Sequence, residues 1–346
     1  MLDELLQRYP LPSGWASLEH FRETVDLAPS SIELSGVSVV GPHGDRVTGS
    51  AASIGSSGRC VARSYFELLE RVSIIVASGS SANYRELLDR SGRTLRSVKG
   101  SDLFAESPWP NRWRPSRSNG VALHASWQEA CDRAAAELVE RDRVLRSWYG
   151  ESIPLRLPLP QSLIPEGAHS LAEWAAYELS PASSAIGNAL TVVAVVGLPR
   201  IDTTPLAYGF AAAIDPRAAT TAAAIEAVQR LGFLLGEEIP REIPPFSPTP
   251  DFHQEFFLHP PARTLLEEWL NCAPLGDRTF SREANAQTEH RPTDEPIWFV
   301  DLTPPHLRGS LFVAKALCPM AEPLVFGEPA PHRAGVSASR RVHPIA

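Results

Sequence analysis

The sequence predicts a mixed α/β (α+β) fold in which helices lay carboxylates against sheets. Helical and strand-like periodicities alternate along the chain. Hydrophobic residues make up 43% and charged residues 21% of the 346 positions, a globular balance that is not disordered. Both segments carrying paired glutamates have helical spacing and are bordered by strand-like or small-residue runs.

Taken in order, Leu2 to Arg8 and Leu18 to Val25 carry short helical patterns, and Ser31 to Val40 alternates as a strand does. Arg59 to Ile74 and Ser126 to Trp148 read as helices, each with an acidic segment. Ala189 to Gly197 and Leu206 to Ile214 are apolar enough for buried strands, and Ala218 to Leu235 is an alanine-rich helix. Ile239 to Pro250 holds five prolines, which forbids a continuous helix or central strand and reads as a connector. Ile297 to Leu302 and Leu311 to Leu317 are late strands. No solenoid-like repeat is visible.

The acidic segments are Glu67-Leu-Leu-Glu70-Arg71 and Glu137-Leu-Val-Glu140-Arg141-Asp142. Carboxylates three residues apart share a helix face, where they repel unless a cation answers them. At about 100° per residue, Glu140 falls roughly 20° and Glu137 roughly 80° from Glu129. Three carboxylates therefore cluster, with Ala134, Leu138 and Leu145 on the core-facing side. Solvated helix faces would explain either segment alone. A Mg2+ site, which combines carboxylates with phosphate oxygens, is the sharper reading of both.

The wider context carries a family resemblance. Ser64-Tyr-Phe-Glu67-Leu-Leu-Glu70-Arg71, after the small-residue run from Gly49 to Gly58, resembles the first nucleotide-binding motif of the YcaO superfamily. Ser118-Asn119-Gly120, Gln128-Glu129 and Glu137-x-x-Glu140-Arg141-Asp142 are similar to its second block. Tyr208-Gly209 through Asp215-Pro216, followed by Ile225-Glu226-Ala-Val-Gln229-Arg230, resembles the third. Val300-Asp301-Leu302-Thr303 with Leu311 through Lys315 to Cys318-Pro319 resembles the fourth. The blocks stand in family order from about residue 45 onward, so the expectation is one domain over 1–346, with a lead-in at 1–44 and a C-terminal tail at 331–346.

The resemblance implies an ATP- and Mg2+-dependent enzyme that activates backbone amides of a ribosomally made peptide. In the azoline-forming branch, a Cys, Ser or Thr side chain attacks the preceding carbonyl, and phosphorylation of the oxygen followed by phosphate loss leaves a thiazoline or oxazoline. By carry-over, Glu67, Glu70, Glu137, Glu140 and Glu226 are metal residues, and Ser64, Glu129 and Gln229 join them in holding the nucleotide. Azoline-forming members end in a proline-rich tail that reaches the active site, which makes Pro344 and Ala346 the catalytic candidates in the ending Arg341-Val-His343-Pro344-Ile345-Ala346. Ala222 stands where the family often has an arginine, leaving Arg217 or Arg230 to grip phosphate. The alternatives are thioamide formation with a TfuA-type partner and a non-catalytic YcaO-like scaffold.

The implied partners are a precursor peptide and a separate E1-like or ThiF-like leader-binding protein, and a homodimer is compatible with the sequence. A net charge of −8 argues against a general nucleic-acid binder. Cys60, Cys131, Cys272 and Cys318 form no Cys-x-x-Cys pair and fit a reducing compartment. The N-terminus lacks a signal-peptide pattern and no apolar run reaches membrane-spanning length, so the expected location is the cytoplasm. His253 and His259 read as structural or rim residues, and His343 as an exposed one.

Overall fold

The computed structural model describes residues 1–55, 58–79, 84–106, 110–181, 186–187, 189–271, 296–328 and 340–345. Three antiparallel sheets and a two-stranded ribbon carry the strands. The first sheet runs β1 (Ala16–Leu27), β2 (Ser30–Val40), β3 (Arg46–Ile54). The second is ordered β11 (Ala207–Ala213), β10 (Thr191–Pro199), β9 (Ala172–Leu179), β8 (Pro154–Leu157). The third is ordered β5 (Thr94–Lys99), β4 (Tyr84–Leu88), β12 (Trp298–Asp301), β13 (Phe312–Leu317), β7 (Val121–His124). The ribbon joins β14 (Val325–Gly327) to β6 (Trp113–Pro115).

The helices are α1 (Leu2–Arg8), α2 (Cys60–Gly79), α3 (Gly100–Leu103), α4 (Trp127–Trp148), α5 (Glu166–Leu171), α6 (Pro216–Leu234), α7 (Pro250–Phe256) and α8 (Pro260–Asn271). Helix α2 packs on β2, β3 and β7. Helix α4 lies between β7 and β13 on one side and β9 to β11 on the other, and α6 spans β10, β11, β2 and β3. Three helices thus meet where three sheets adjoin. Among the described residues no helix is long and apolar enough to cross a membrane.

Local chemistry explains the placement of these helices. Ser126 caps α4 by accepting a hydrogen bond from the Glu129 N–H, and Asp215 caps α6 with Pro216 in its first turn. Ala134, Leu138 and Leu145 are buried in the main core as their spacing predicts, beside Trp148 and Trp269, whose rings meet edge to face 5.5 Å apart. Ala219, Ala223, Ala224 and Ala227 form the buried face of α6. Cys60 and Cys131 are buried as free thiols and Cys318 is half-buried, while Cys272 lies outside the described residues.

One predicted element changes type. Leu18 to Val25 is not a helix but part of β1, paired antiparallel to β2 from Glu19↔Ser38 to Leu27↔Ser30. Leu18, Phe21 and Val25 imitate a helical stripe, but pairing with β2 supplies the backbone hydrogen bonds instead. Phe21 lies opposite Gly36 and its ring covers that glycine: a Cβ there would come within 2.0 Å of the ring. The helix predicted from Leu2 to Arg8 is α1, and Ile239 to Pro250 is irregular until α7 begins at Pro250.

Candidate active site

Three glycines set the distance between the acidic helices and their strands. A Cβ on Gly49 of β3 would lie 2.2 Å from both Ser64 O and Leu68 N of α2. On Gly209 of β11 it would lie 2.4 Å from Ala223 O and Ala227 N of α6. Gly120, just before β7, has φ +67°, and a Cβ there would come within 3.1 Å of the Leu138 side chain of α4. Gly49 and Gly209 let a helix backbone approach a strand more closely than any side chain would permit, and Gly120 makes a left-handed turn tight against the Leu138 side chain.

The same contacts hold the carboxylates. Ser50 N–H, next after Gly49, donates to Glu67 Oε2 at 2.9 Å, and Leu123 N–H donates to Glu70 Oε2 at 2.9 Å. Backbone hydrogen bonds from Val121 and Gly120 reach Glu137, one from Phe210 reaches Glu226, and one from Ala212 reaches Glu140. Strand N–H groups therefore fix all five carboxylates.

Glu67, Glu140, Glu226 and Gln229 line a cleft of about 690 Å³, together with Arg141, Tyr208, Arg230, Pro344 and Ile345. Glu70 lines a side chamber of about 300 Å³ that shares Ser50, Glu67 and Gln229 with the cleft. Glu137 stands behind the wall, paired to Arg141 at 2.8 Å. Arg71 is likewise engaged by Glu67 at 2.6 Å. A further hollow of about 730 Å³, lined by Arg46, Arg114, Arg117 and Phe326, adjoins the cleft at Arg71 but has no acidic pair.

Burial and mutual repulsion raise the carboxyls of the cluster. Burial pushes the Glu70 carboxyl up to about 8, and the neighbouring Glu137 adds to the shift. Glu140 is raised well above the carboxylate range by burial and by Glu226. Glu226 is enclosed by the cleft walls and raised to about 7, although the Phe210 N–H and Arg141 pull the other way. Burial also raises Glu137, opposed by Arg141 and Lys315. Lys315 itself is buried, lowered to about 8 by loss of water, and donates to the Arg117 and Asn119 carbonyls at 3.1 and 2.9 Å.

Among the described residues, no three His, Cys, Asp or Glu side chains are spaced as a ready-made metal cage. Mg2+ does not need one, because it retains waters and takes one or two carboxylates together with phosphate oxygens. All-oxygen donors that raise one another's pKa suit that hard cation. The residues fit Mg2+ with a nucleotide.

Two predicted residues lie apart from this group. Glu129 is exposed near the start of α4, paired to His124 at 2.7 Å and hydrogen-bonded to the Ser126 hydroxyl. Eight residues of helix place it about 12 Å along the axis from Glu137. Sharing a helical direction does not make the two neighbours. Ser64 is buried against β2, 3.0 Å from Ser35 Oγ, and lines neither the cleft nor its chamber.

The tail supplies part of the wall. His343 is 1% exposed, contrary to its expected exposure, because β14 and α7 enclose it. Its Nε2 lies 2.9 Å from the Val325 carbonyl. Its own carbonyl accepts from His253 Nδ1 at 3.0 Å, and Gly327 N–H donates to His253 Nε2 at 2.9 Å. This clasp places Pro344 and Ile345 in the cleft, while Ala346 lies outside the described residues.

Tyr208 and Lys315 stand at or beside the acidic cluster without a signal in the local sequence. Strand spacing marks Tyr208 only as buried, and a buried lysine in a strand carries no local signal. Of the two arginines offered for Ala222, Arg230 lines the cleft. Arg217 is exposed in the first turn of α6, thirteen residues and about 20 Å of helix away.

Comparison with known proteins gives a family match and a shared fold. Residues 101–322 match a family described as YcaO cyclodehydratase, ATP- and Mg2+-binding. The match begins after α2, so Glu67 and Glu70 join the other carboxylates by geometry alone. The chain is similar in structure to YcaO from Methanopyrus kandleri bound with AMPPCP and Mg2+ (16% identity, TM-score 0.62, 91% of this chain and 87% of that one). It is also similar to a chain of the E. coli microcin synthetase McbBCD complex (11% identity, TM-score 0.58, 88% of each chain). A heterocyclase in complex with substrate and cofactor matches at 16% identity and TM-score 0.62, covering 93% of this chain and 52% of that longer one. At these identities the likeness speaks for the fold. No curated protein matches the sequence.

Proposed function

The chain belongs to the YcaO family, and we propose that it is an ATP- and Mg2+-dependent cyclodehydratase acting on backbone amides of a ribosomally made peptide. One observation carries this reading: α2, α4 and α6 bring Glu67, Glu140 and Glu226 to one cleft and Glu70 to the chamber beside it, where burial and neighbouring carboxylates raise Glu70, Glu140 and Glu226. Glu70, Glu137, Glu140 and Glu226 would hold Mg2+, with Glu67 beside them and Gln229 facing the nucleotide. When bound, Mg2+-ATP supplies the phosphoryl group that turns the amide oxygen into a leaving group.

The protein contributes position and charge. The backbone N–H groups of the strands hold the glutamates at the cleft and its chamber. Arg141 and Lys315 offset part of the negative charge, and the clasped tail shapes the peptide's side of the cleft. A substrate Cys, Ser or Thr attacks the preceding carbonyl, its proton passes to a base, and the amide oxygen leaves as phosphate. We assign the tail segment Pro344 to Ala346 to substrate positioning and proton removal. The reading also takes the chain as one domain working in the cytoplasm with a separate E1-like or ThiF-like leader-binding protein; the occurrence of a similar fold in the microcin synthetase McbBCD complex supports work within an assembly.

The test is to incubate the protein, its partner protein and a Cys/Ser/Thr-containing precursor with Mg2+ and ATP, and to weigh the peptide. The expected result is loss of one water per ring, abolished in Glu140→Gln. Replacement of oxygen by sulfur would favour thioamidation, and an unmodified peptide would favour a scaffold. Deleting residues 344–346 should cut dehydration roughly 10²–10⁴-fold if the segment serves as base, with nucleotide binding retained.

A further inference from the structure

We infer that the hollow beside the cleft receives an acidic residue of the substrate peptide together with an apolar neighbour, two or three positions from the residue that reacts. The inference rests on the peptide reading above and adds a specificity site to it. The hollow, of about 730 Å³, meets the acidic cleft at Arg71, which lines both. Arg71 donates to the Thr48 carbonyl at 2.8 Å and is paired to Glu67 at 2.6 Å, so it stands as a fixed bar between the two.

Charge divides the two chambers. Glu67, Glu140, Glu226, Glu237 and Glu255 line the cleft against three arginines, whereas Arg46, Arg71, Arg114 and Arg117 line the hollow against Glu106 alone. Arg46 is already held by both oxygens of Glu19, at 2.6 and 3.0 Å. Arg114 is not: its Nε donates to the Pro110 carbonyl at 3.0 Å, and among the described residues no carboxylate lies within 4.0 Å of it. Arg117 meets Glu106 only at 3.9 Å, and both side chains are exposed. Two cations at one rim are thus left to answer an anion from outside the chain. The floor is apolar: Val47 of β3 and Ile74 of α2 are buried there, and Phe326 stands opposite Arg114 across the ribbon. A carboxylate beside an apolar side chain matches both surfaces, while the glutamates of the cleft repel it.

The spacing follows from the helices that run past both chambers. On α2, Glu67 and Arg71 line the cleft, and Ile74, Ile75 and Ser78 continue into the hollow. On α7, Gln254 and Glu255 line the cleft and Pro250 the hollow. At 1.5 Å per residue these offsets amount to about 6–10 Å, a span that an extended peptide covers in roughly two or three residues.

Fluorescence anisotropy with labelled Gly/Ser-rich peptides tests the subsite without nucleotide or partner protein. Each peptide carries one Cys and an Asp-Leu pair at a spacing varied from one residue to six. At spacings of two or three, the Asp-Leu peptide should bind wild type about 3- to 10-fold tighter than its Asn-Leu counterpart, the worth of two partly exposed ion pairs. The preference should vanish in Arg114→Gln/Arg117→Gln and fade at about 1 M salt, where the screening length is about 3 Å. Arg114→Lys keeps the charge and should keep the preference. The Asp-to-Asn change in the peptide carries the test alone if the double variant does not fold. Equal binding of the two peptides to wild type, a preference that persists in the double variant, a preference blind to spacing, or no binding of either peptide overturns the subsite. The expected preference beside a precursor that is not dehydrated in the test above would sink the cyclodehydratase reading and keep the subsite. Dehydration at equal rates in wild type and double variant, with no acid preference, would do the reverse.

Discussion

Glu70 is held in a place that favours its protonated form, so removing its charge should stabilise the metal-free protein. Burial and Glu137 raise its carboxyl from an ordinary 4.5 to about 8. A group raised on folding contributes fully below its unfolded pKa, and that contribution is lost as pH rises through the folded value. Between about pH 4.5 and 8, wild type should lose stability by about 1.4 kcal/mol per pH unit relative to a non-titrating isostere. Glu70→Gln supplies that isostere, because its amide oxygen can still accept the Leu123 N–H. The ideal gap at pH 7 is about 3 kcal/mol, trimmed to about 2–3 by water reaching the half-buried side chain. Thermal unfolding in EDTA should therefore place Glu70→Gln roughly 3–6 °C above wild type at pH 7 and level with it near pH 4.5. Adding Mg2+-ATP should reverse the order, since only the carboxylate gains a metal bond. A variant less stable than wild type at pH 7 without metal, or a gap that does not change from pH 5 to 8, would rule out a buried, uncompensated Glu70 charge.

Two further outcomes follow from the packing. Gly209→Ala should cost about 1–3 kcal/mol by chemical denaturation, because its Cβ must displace the α6 backbone, and Mg2+-ATP binding should weaken with the shift of Glu226; an unchanged affinity would separate the glycine from the site. His253→Leu should leave the His343 carbonyl and the Gly327 N–H unpaired at about 1–3 kcal/mol each, exposing the tail after Arg340 to limited proteolysis. Burial lowers His253 to about 4, so the clasp should be intact above the unfolded histidine value of about 6.5 and weaken as pH falls toward 4. Undiminished protection at pH 5 would count against it.

The sequence by itself determined the mixed fold, the three acidic helices and most of their boundaries, because those signals are local. The Glu-x-x-Glu pairs, the alanine face of α6 and the capping residues Ser126 and Asp215 act within one or two turns of helix. It also carried the family, through four blocks in order, and it named Glu67, Glu140, Glu226 and Gln229, which line the cleft, and Glu70, which lines the chamber beside it. What it could not decide depends on approach between distant segments. The stripe of Leu18, Phe21 and Val25 became a strand only because β2 offered hydrogen bonds and Gly36 offered space for a ring. Glu129 shares a helical direction with Glu140 but is separated from Glu137 by two turns, a translation that a helical wheel discards. His343 is buried because α7 and β14 close over it, and Arg230 rather than Arg217 reaches the cleft because α6 turns that end toward Tyr208. Gly49, Gly120 and Gly209 look alike in sequence to any turn glycine, and only tertiary contact shows that their missing side chains set the distance at which carboxylates meet.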